Sequence, residues 1–225
     1  MTRVWLPIDC LLCGEPPLEL CAECHASLPL REHSISRLSE LTGLAVADYQ
    51  GEVSALIRAF KGSGSKTLQR LIGLQMARTL SRVLDDLGVH SQRAIWFIPA
   101  PSSARNFRGR GFAPAQLLAS AVRNELLLHG RYNVRVANML RVVGATVDQA
   151  GLGKLERSRN LEGKFVVNIK RLEALRKALP VGSSNPFVVL LDDIVTTGAT
   201  MSEMQTCLAR SGLQASFFLT FAETL

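Results

Sequence analysis

The sequence predicts an α/β domain with a mostly parallel sheet flanked by helices, preceded by a small cysteine-rich knuckle. Short apolar runs of the buried-strand type alternate with longer stretches whose apolar residues recur at helical spacing. Alternating strands and helices are typical of a parallel sheet covered by helices. Four of the five cysteines lie within the first 24 residues, so the knuckle is a separate feature.

Composition limits the class of protein. The chain has 225 residues, 47% of them hydrophobic, which suffices for one domain with a substantial core and a small appendage. No apolar run approaches the ~20 residues of a membrane span, and the first residues lack a signal-peptide pattern, so we expect a cytoplasmic protein. The net charge of +7 suits an anionic partner such as a polyphosphate or a nucleic acid.

The N-terminal cysteines form two CxxC pairs with seven residues between them: Cys10 and Cys13, then Cys21 and Cys24. Two such pairs complete a tetrahedral Zn²⁺ site. A structural ion would replace the hydrophobic core that about 30 residues cannot build. A redox role is less consistent with the sequence, because no βαβ pattern surrounds either pair. We therefore predict a zinc knuckle over residues 1–30, with His25 outside the ligand set.

Periodicity predicts the remaining elements. Residues 31–50 read as a linker and a strand, and residues 51–225 as the main domain. Helices are expected near 53–60, 68–87, 114–122, 169–179 and 201–208, and strands near 44–49, 94–98, 134–136, 165–168, 188–191 and 215–221. Between the first two helices, residues 61–66 (KGSGSK) predict a flexible basic turn. Lys61 could reach an anionic ligand from there or simply be solvated.

Residues 188–201, VVLLDDIVTTGATM, are the most informative stretch. A buried strand ends in Asp192 and Asp193, and a turn rich in hydroxyl groups then opens a helix. Free N–H groups and the positive end of the helix dipole favour a phosphate there. Carboxylates accept hydrogen bonds from sugar hydroxyls or bind Mg²⁺. The predicted phosphate-binding residues are Thr196, Thr197, Gly198, Ala199 and Thr200. The alternative is an ordinary pair of acids at a strand end, followed by a helix cap.

A second strand end carries arginines. Residues 99–101 (PAP) end the strand near 94–98, and residues 102–112 (SSARNFRGRGF) form a predicted loop. Guanidinium groups pair bidentately with phosphate oxygens. The candidate anion-binding residues are Ser102, Arg105, Arg108 and Arg110. A solubilising loop, or a loop that contacts a nucleic-acid backbone, is the alternative.

Residues 188–201 resemble the phosphoribosyl pyrophosphate (PRPP) signature of type I phosphoribosyltransferases. The order of motifs along nearly the whole chain is similar to the ComF family, related to the competence protein ComF. The first motifs in this order are the double CxxC and then Tyr49 and Gly51, followed by Phe60-Lys61. Next come Pro99 and Pro101, followed by RGF at residues 110–112. The last are QAGL at residues 149–152 with Arg157 and Asn160, and then DDIVTTGAT. Two departures are visible. A further CxxC pair is missing, and Ala113-Pro114 stands where the family commonly has Asn-Gln.

The resemblance implies a type I phosphoribosyltransferase-like fold with an N-terminal zinc finger, and PRPP bound with Mg²⁺. By the same resemblance, Asp192 and Asp193 hold the ribose hydroxyls, residues 196–200 hold the 5-phosphate and the arginines hold the pyrophosphate. Family members are linked with DNA uptake in natural transformation, so proteins of the competence machinery are expected partners.

Two hypotheses on function stay open. The first is a PRPP-binding protein that could transfer the ribosyl group to a nitrogen base, although no residue stands out as a general base. The second is a module that binds single-stranded DNA through its basic loops. The aromatic content of 6% offers few stacking platforms for this. Residues 141–163 lack a clear period and predict a mobile lid or binding loop. The polar candidates in this segment are Asp148, Gln149, Arg157 and Asn160. The alternative for each of them is an exposed, solvated loop.

Overall fold

The computed structural model describes residues 9–16, 19–35, 41–128, 130–143 and 163–224. Within these ranges the strands are β1 (His33–Ser34), β2 (Gly43–Asp48), β3 (Ala94–Pro99), β4 (Asn133–Val136), β5 (Leu140–Val142), β6 (Phe165–Val167), β7 (Phe187–Val195) and β8 (Phe217–Glu223). The helices are α1 (Ala22–Ala26), α2 (Gly51–Ser63), α3 (Lys66–Asp86), α4 (Ala104–Arg110), α5 (Pro114–Leu127), α6 (Ile169–Lys177) and α7 (Ala199–Ala209).

Six strands form the central sheet in the order β1-β2-β8-β7-β3-β4. Every neighbouring pair is parallel except β1 with β2, which is antiparallel. All six residues of β3 are buried, as expected for a strand covered on both faces. Strands β5 and β6 form a separate antiparallel pair. The predicted fold class, a mostly parallel sheet flanked by helices, is therefore confirmed.

Helices cover the two faces of the sheet with separate apolar clusters. On one face, residues of α2, α3 and α5 such as Phe60, Ile72 and Leu126 pack with alternate residues of β3 and β7. On the other face, Trp96 packs with residues of α6, α7 and the β5–β6 pair, including Met204. Among the described residues, no helix combines the length and the apolar character that crossing a membrane needs.

The N-terminal knuckle contributes to the first of these clusters. Cys10, Leu20 and Leu28 are buried in the same group as Phe60. Ser65 is the N-cap residue of α3. Its hydroxyl oxygen accepts a hydrogen bond from the N–H of Leu68, and the hydroxyl also donates to the Glu19 carboxylate. The domain boundary near residue 30 stays a prediction.

Three local expectations are corrected by the structure. Residues 104–110 form the short helix α4 instead of a loop, with the Ser103 hydroxyl accepting from the N–H of Asn106 at 3.2 Å and Gly111 ending the helix at φ 78°. The basic turn predicted over 61–66 shrinks to Gly64 and Ser65, because α2 continues to Ser63. Residues 140–142 are strand β5, so residues 141 and 142 have regular structure although the range 141–163 was expected to lack it.

Candidate functional site

The parallel strands place two turns side by side. Because β3 and β7 are parallel neighbours, the turns that follow them lie at the same edge of the sheet. Ligands of open α/β sheets bind at this carboxyl edge. Residues 196–200, called the phosphate turn below, follow β7, and Ser102 follows β3.

The phosphate turn has the geometry of a helix start. Gly198 has a left-handed backbone, φ 79°, that a side chain would strain, and its carbonyl accepts the first backbone bond of α7, from Ser202 at 3.0 Å. The Thr197 hydroxyl accepts from the N–H of Ala199 at 3.3 Å. Thr196, Thr197 and Thr200 are all partly exposed, so the turn is open to the surface. An anion at this place would meet the N-terminal end of an 11-residue helix.

The structure gives the two acids different surroundings. Both lie within β7, which extends to Val195, so their side chains alternate between the two faces of the sheet. Asp193 is only 5% exposed, and its Oδ1 lies 2.9 Å from Nζ of Lys61 on α2. Asp192 is half-buried on the face that carries α7, and its Oδ1 accepts from the N–H of Asp193 at 2.9 Å. Asp192 is therefore the acid on the α7 side of the strand.

The surroundings of Asp192 favour its uncharged form. Burial, and then the Asp193 carboxylate, raises the pKa of Asp192 to about 8, while the Lys61 ammonium opposes the shift. Asp192 therefore favours its protonated form near neutral pH. A cation or a hydroxyl group that approaches Asp192 favours its ionised form.

The predicted Mg²⁺ has few protein ligands here. Within the described ranges, the only group of three or more His, Cys, Asp or Glu side chains close enough to share a metal is the four-cysteine cluster. Asp192 is a suitable hard oxygen ligand, and Mg²⁺ usually takes its other ligands from substrate phosphates and water. The described residues therefore do not form a dedicated Mg²⁺ cage.

The predicted anion residues of the second turn divide into two groups. Ser102 and Arg108 line a cleft of about 520 Å³ between the end of β3, α4, β5 and α6. Arg105 and Arg110 lie on α4 but do not line it, and neither does any residue of the phosphate turn. As far as the described residues define this cleft, it therefore includes Ser102 and Arg108 but not the phosphate turn. Among the remaining candidates, Asp148, Gln149, Arg157 and Asn160 lie outside the described residues.

A polar cluster at the same edge of the sheet escaped prediction. Nε2 of His33 lies 3.0 Å from Oε2 of the buried Glu223, and its Nδ1 lies 3.7 Å from Oδ1 of Asp48. Glu223 pairs in register with Val195, the residue just before the phosphate turn. His33 and Glu223 are separated by 190 positions in the chain, and no local pattern marks such a contact.

The four N-terminal cysteines converge as predicted. Their sulfur atoms all lie within 4.8 Å of one another, and Sγ of Cys13 is 3.8 Å from Sγ of Cys21. A tetrahedral ion with bonds of about 2.3 Å to sulfur sets its ligands about 3.8 Å apart. The cluster could thus hold a structural metal such as zinc. Nε2 of His25 lies 3.2 Å from Nε2 of Gln75, outside the group of sulfur atoms.

Hydrogen bonds shift the pKa values of the Cys10 and Cys24 thiols in opposite directions. The backbone N–H of Cys13, and then that of Cys21, lowers the pKa of Cys10 to about 6. In contrast, hydrogen bonds with the thiols of Cys21 and Cys13 raise the pKa of Cys24. Four crowded sulfur atoms cannot all ionise without a cation, and a divalent ion removes that conflict.

Comparison with known proteins identifies relatives of this chain, although no family model matches it. It is 31% identical over 175 residues to the DNA utilization protein YhgH of an Escherichia coli strain, covering 75% of this chain and 66% of the relative. For YhgH of a second Escherichia coli strain the identity is 30% over 178 residues, covering 76% and 67%. The chain belongs to the family of the DNA utilization protein YhgH.

YhgH of Shigella flexneri is 31% identical over 175 residues, again covering 66% of that relative. The chain thus spans just under two thirds of the length of the first of these YhgH relatives and just over two thirds of the second.

Proposed function

We propose that this chain is a phosphoribosyltransferase-like protein of the ComF type that binds PRPP, or another phosphorylated ribose, together with Mg²⁺. The observation that carries the proposal is the phosphate turn. It joins a buried parallel strand to α7, with Gly198 in a left-handed conformation and three partly exposed threonines. The proposed 5-phosphate sits at the N-terminal end of α7, where it accepts hydrogen bonds from N–H groups and hydroxyls of this turn.

Asp192 and Asp193 are proposed to accept hydrogen bonds from the ribose hydroxyls. Asp192 is the main contact because it lies on the α7 side of the strand. Asp193 already accepts from Lys61, and a carboxylate has enough lone pairs to accept from a hydroxyl as well. Lys61 then acts as a positioning residue that holds Asp193 in place.

Transfer of the ribosyl group would be an enzymatic activity in addition to PRPP binding. The corresponding reaction is displacement of pyrophosphate from the anomeric carbon by a nitrogen base. Bound Mg²⁺ would neutralise charge on the departing pyrophosphate. The arginines of α4, Arg105, Arg108 and Arg110, are proposed to attract the same group from the neighbouring turn.

Calorimetric titration with PRPP in the presence of Mg²⁺ tests the binding proposal. We expect Asp192→Asn and Thr197→Val each to weaken binding by about tenfold or more, because each removes a polar contact to the ligand. Thr206→Val is the matched control, since Thr206 is exposed on α7 beyond the turn. Equal affinity for all four proteins would refute the proposal. A pyrophosphate-release assay with a panel of nucleobases then tests for catalysis.

For the N-terminus we propose that Cys10, Cys13, Cys21 and Cys24 hold one structural Zn²⁺ in a knuckle over residues 1–30. The convergence of the four sulfur atoms supports this assignment. The rest of the chain, residues 51–225, would be the ligand-binding domain, joined through residues 31–50.

A second candidate function is binding of single-stranded DNA in the cytoplasm, alongside proteins of the competence machinery. It is favoured by the exposed arginines of α4 and by relatives named as DNA utilization proteins. Backbone contacts make affinity fall steeply with salt. We expect the double variant Arg105→Ala/Arg108→Ala to flatten this dependence for an oligothymidylate. An unchanged slope in that variant would remove DNA contact by α4 from consideration.

A further inference from the structure

The cleft that contains Arg108 collects charge from three separate elements. Arg108 comes from α4, Arg141 from β5 and Arg171 from α6. No acidic residue is among the described residues that line it. We call it the arginine cleft. Its volume of about 520 Å³ falls in the range of small-molecule sites.

The positive charge in the arginine cleft is not neutralised by described residues of the chain. The ion pairs formed by other arginines, such as Arg82 with Glu32 and Arg131 with Asp85, lie elsewhere in the fold. In the arginine cleft, Arg171 instead donates through its Nη1 to the backbone carbonyl of Asn138, which holds this guanidinium at the cleft wall. Three guanidinium groups in one concave site, none with an acidic partner among the described residues, favour a multiply charged anion.

The other side chains that line the arginine cleft include apolar and aromatic groups, which a bare anion does not need. Pro101, Leu140 and the ring of Phe107 form an apolar wall, and Phe107 is 49% exposed. Asn138 also lines the cleft, and its buried Oδ1 has no hydrogen-bond partner among the described residues. A buried carboxamide oxygen that lacks a donor, beside an aromatic ring, matches the hydrogen-bonding edge and flat face of a nucleobase.

We propose that the arginine cleft binds a nucleotide unit, distinct from the ligand of the phosphate turn. Its phosphate contacts Arg141 and Arg171, with Arg108 nearby, and its base contacts Phe107 and the Asn138 carboxamide. Inorganic phosphate would leave the apolar wall exposed, and an uncharged nucleoside would leave the guanidinium groups unpaired. This inference does not depend on occupation of the phosphate turn by a sugar phosphate.

The test compares the double variant Arg141→Ala/Arg171→Ala with the control Arg135→Ala/Lys170→Ala. The control removes the same charge from exposed positions on β4 and α6 that do not line the cleft. Calorimetry with AMP, inorganic phosphate and a short oligothymidylate measures binding. We expect the cleft variant to lose about 10- to 100-fold in affinity for AMP, with the control close to wild type, because bonds to charged groups are lost.

The three probes distinguish the source of the nucleotide. AMP binding as tightly as the oligonucleotide indicates a free nucleotide, whereas a much tighter oligonucleotide indicates one unit of a nucleic-acid strand, and either result supports the site. Three outcomes overturn it. AMP and oligonucleotide show no binding, the two double variants lose affinity for AMP equally, or Arg141→Ala/Arg171→Ala loses as much affinity for PRPP as for AMP. Thermal unfolding of each variant shows whether the fold is retained. If the double variant is unfolded, the test is repeated with the single variant Arg141→Ala, which removes no described hydrogen bond.

Discussion

Nζ of Lys61 lies 2.9 Å from Oδ1 of Asp193, which ties the last turns of α2 to the strand that leads into the phosphate turn. Asp193 is buried, whereas the Lys61 side chain keeps 26% of its surface exposed. The two members of the pair are therefore unequal. Without its partner, Lys61 can turn to water, but Asp193 would remain as a buried carboxylate with an unmet charge.

We expect Lys61→Met to destabilise the protein by about 1–3 kcal/mol, because it keeps the apolar stem but leaves Asp193 without its cation. Asp193→Asn should cost less, and the double variant should recover part of the loss. Urea unfolding of the four proteins gives these free energies. Losses that simply add in the double variant would contradict an interaction between the two side chains.

Asp192 predicts a pH dependence of stability. With a native pKa of about 8, against an ordinary value near 4, the folded state binds more protons than the unfolded state between these limits. The free energy of unfolding should therefore fall as pH rises from about 4 to 8, by on the order of 1 kcal/mol per pH unit from this group.

Urea unfolding at roughly even steps of pH, at pH 5, 6, 7 and 8, measures how the free energy of unfolding changes with pH. Asp192→Asn should be less steep than wild type. The exposed residue Asp86 on α3 supplies the control, since Asp86→Asn should leave the slope as it is in wild type. Parallel curves for wild type and Asp192→Asn would show that Asp192 is ionised throughout.

Local chemistry explains which parts of the fold could be predicted. The strand, acids, turn and helix of residues 187–209 are contiguous, so periodicity and one glycine suffice to anticipate them. Helix α4 was missed because every residue in it is exposed, which leaves no apolar stripe to detect. Its signals are the capping residues Ser103 and Gly111 at its two ends.

The relations between distant residues could not be predicted in this way. Asp192 and Asp193 are adjacent in sequence, yet the pleat of β7 directs them to opposite faces, once the strand extends through both. The partner of Asp193 comes from α2, and the arginine cleft combines α4, β5 and α6. These contacts arise from the packing of the sheet and its helices, which a single sequence does not display.

The cysteine cluster predicts a dependence of stability on metal. Cys13→Ser should lower the zinc content of the purified protein and destabilise it by about 2 kcal/mol or more, because metal binding contributes directly to folding. The effect should reach the main domain, since Leu20 and Leu28 share its core. Atomic absorption and thermal unfolding measure both quantities, with and without chelator.

Cys207→Ala provides the comparison for the metal prediction. Its thiol is buried on α7 and donates to the backbone carbonyl of Phe165, far in sequence from the cluster. It should lose some stability but retain wild-type zinc content. Wild-type zinc content in Cys13→Ser as well would eliminate Cys13 as a ligand.

The contact between α3 and α5 supplies a prediction on packing alone. A Cβ added at Gly73 would lie 2.4 Å from Cβ of Ala121, so the two helix backbones are too close for a side chain. Alanine at this position gains about 1 kcal/mol in helix propensity but must separate the helices, and overpacking costs about 1–3 kcal/mol. We expect urea unfolding to show that Gly73→Ala is destabilising and that Gly73→Ala/Ala121→Gly recovers part of the loss.

Gly62→Ala on α2 is the control for this prediction. An added Cβ meets nothing within 4 Å there, so this variant should instead be stabilised by about 0.5–1 kcal/mol in the same urea unfolding experiment. A Gly73→Ala protein as stable as Gly62→Ala would mean that the helices are not in close contact at this point.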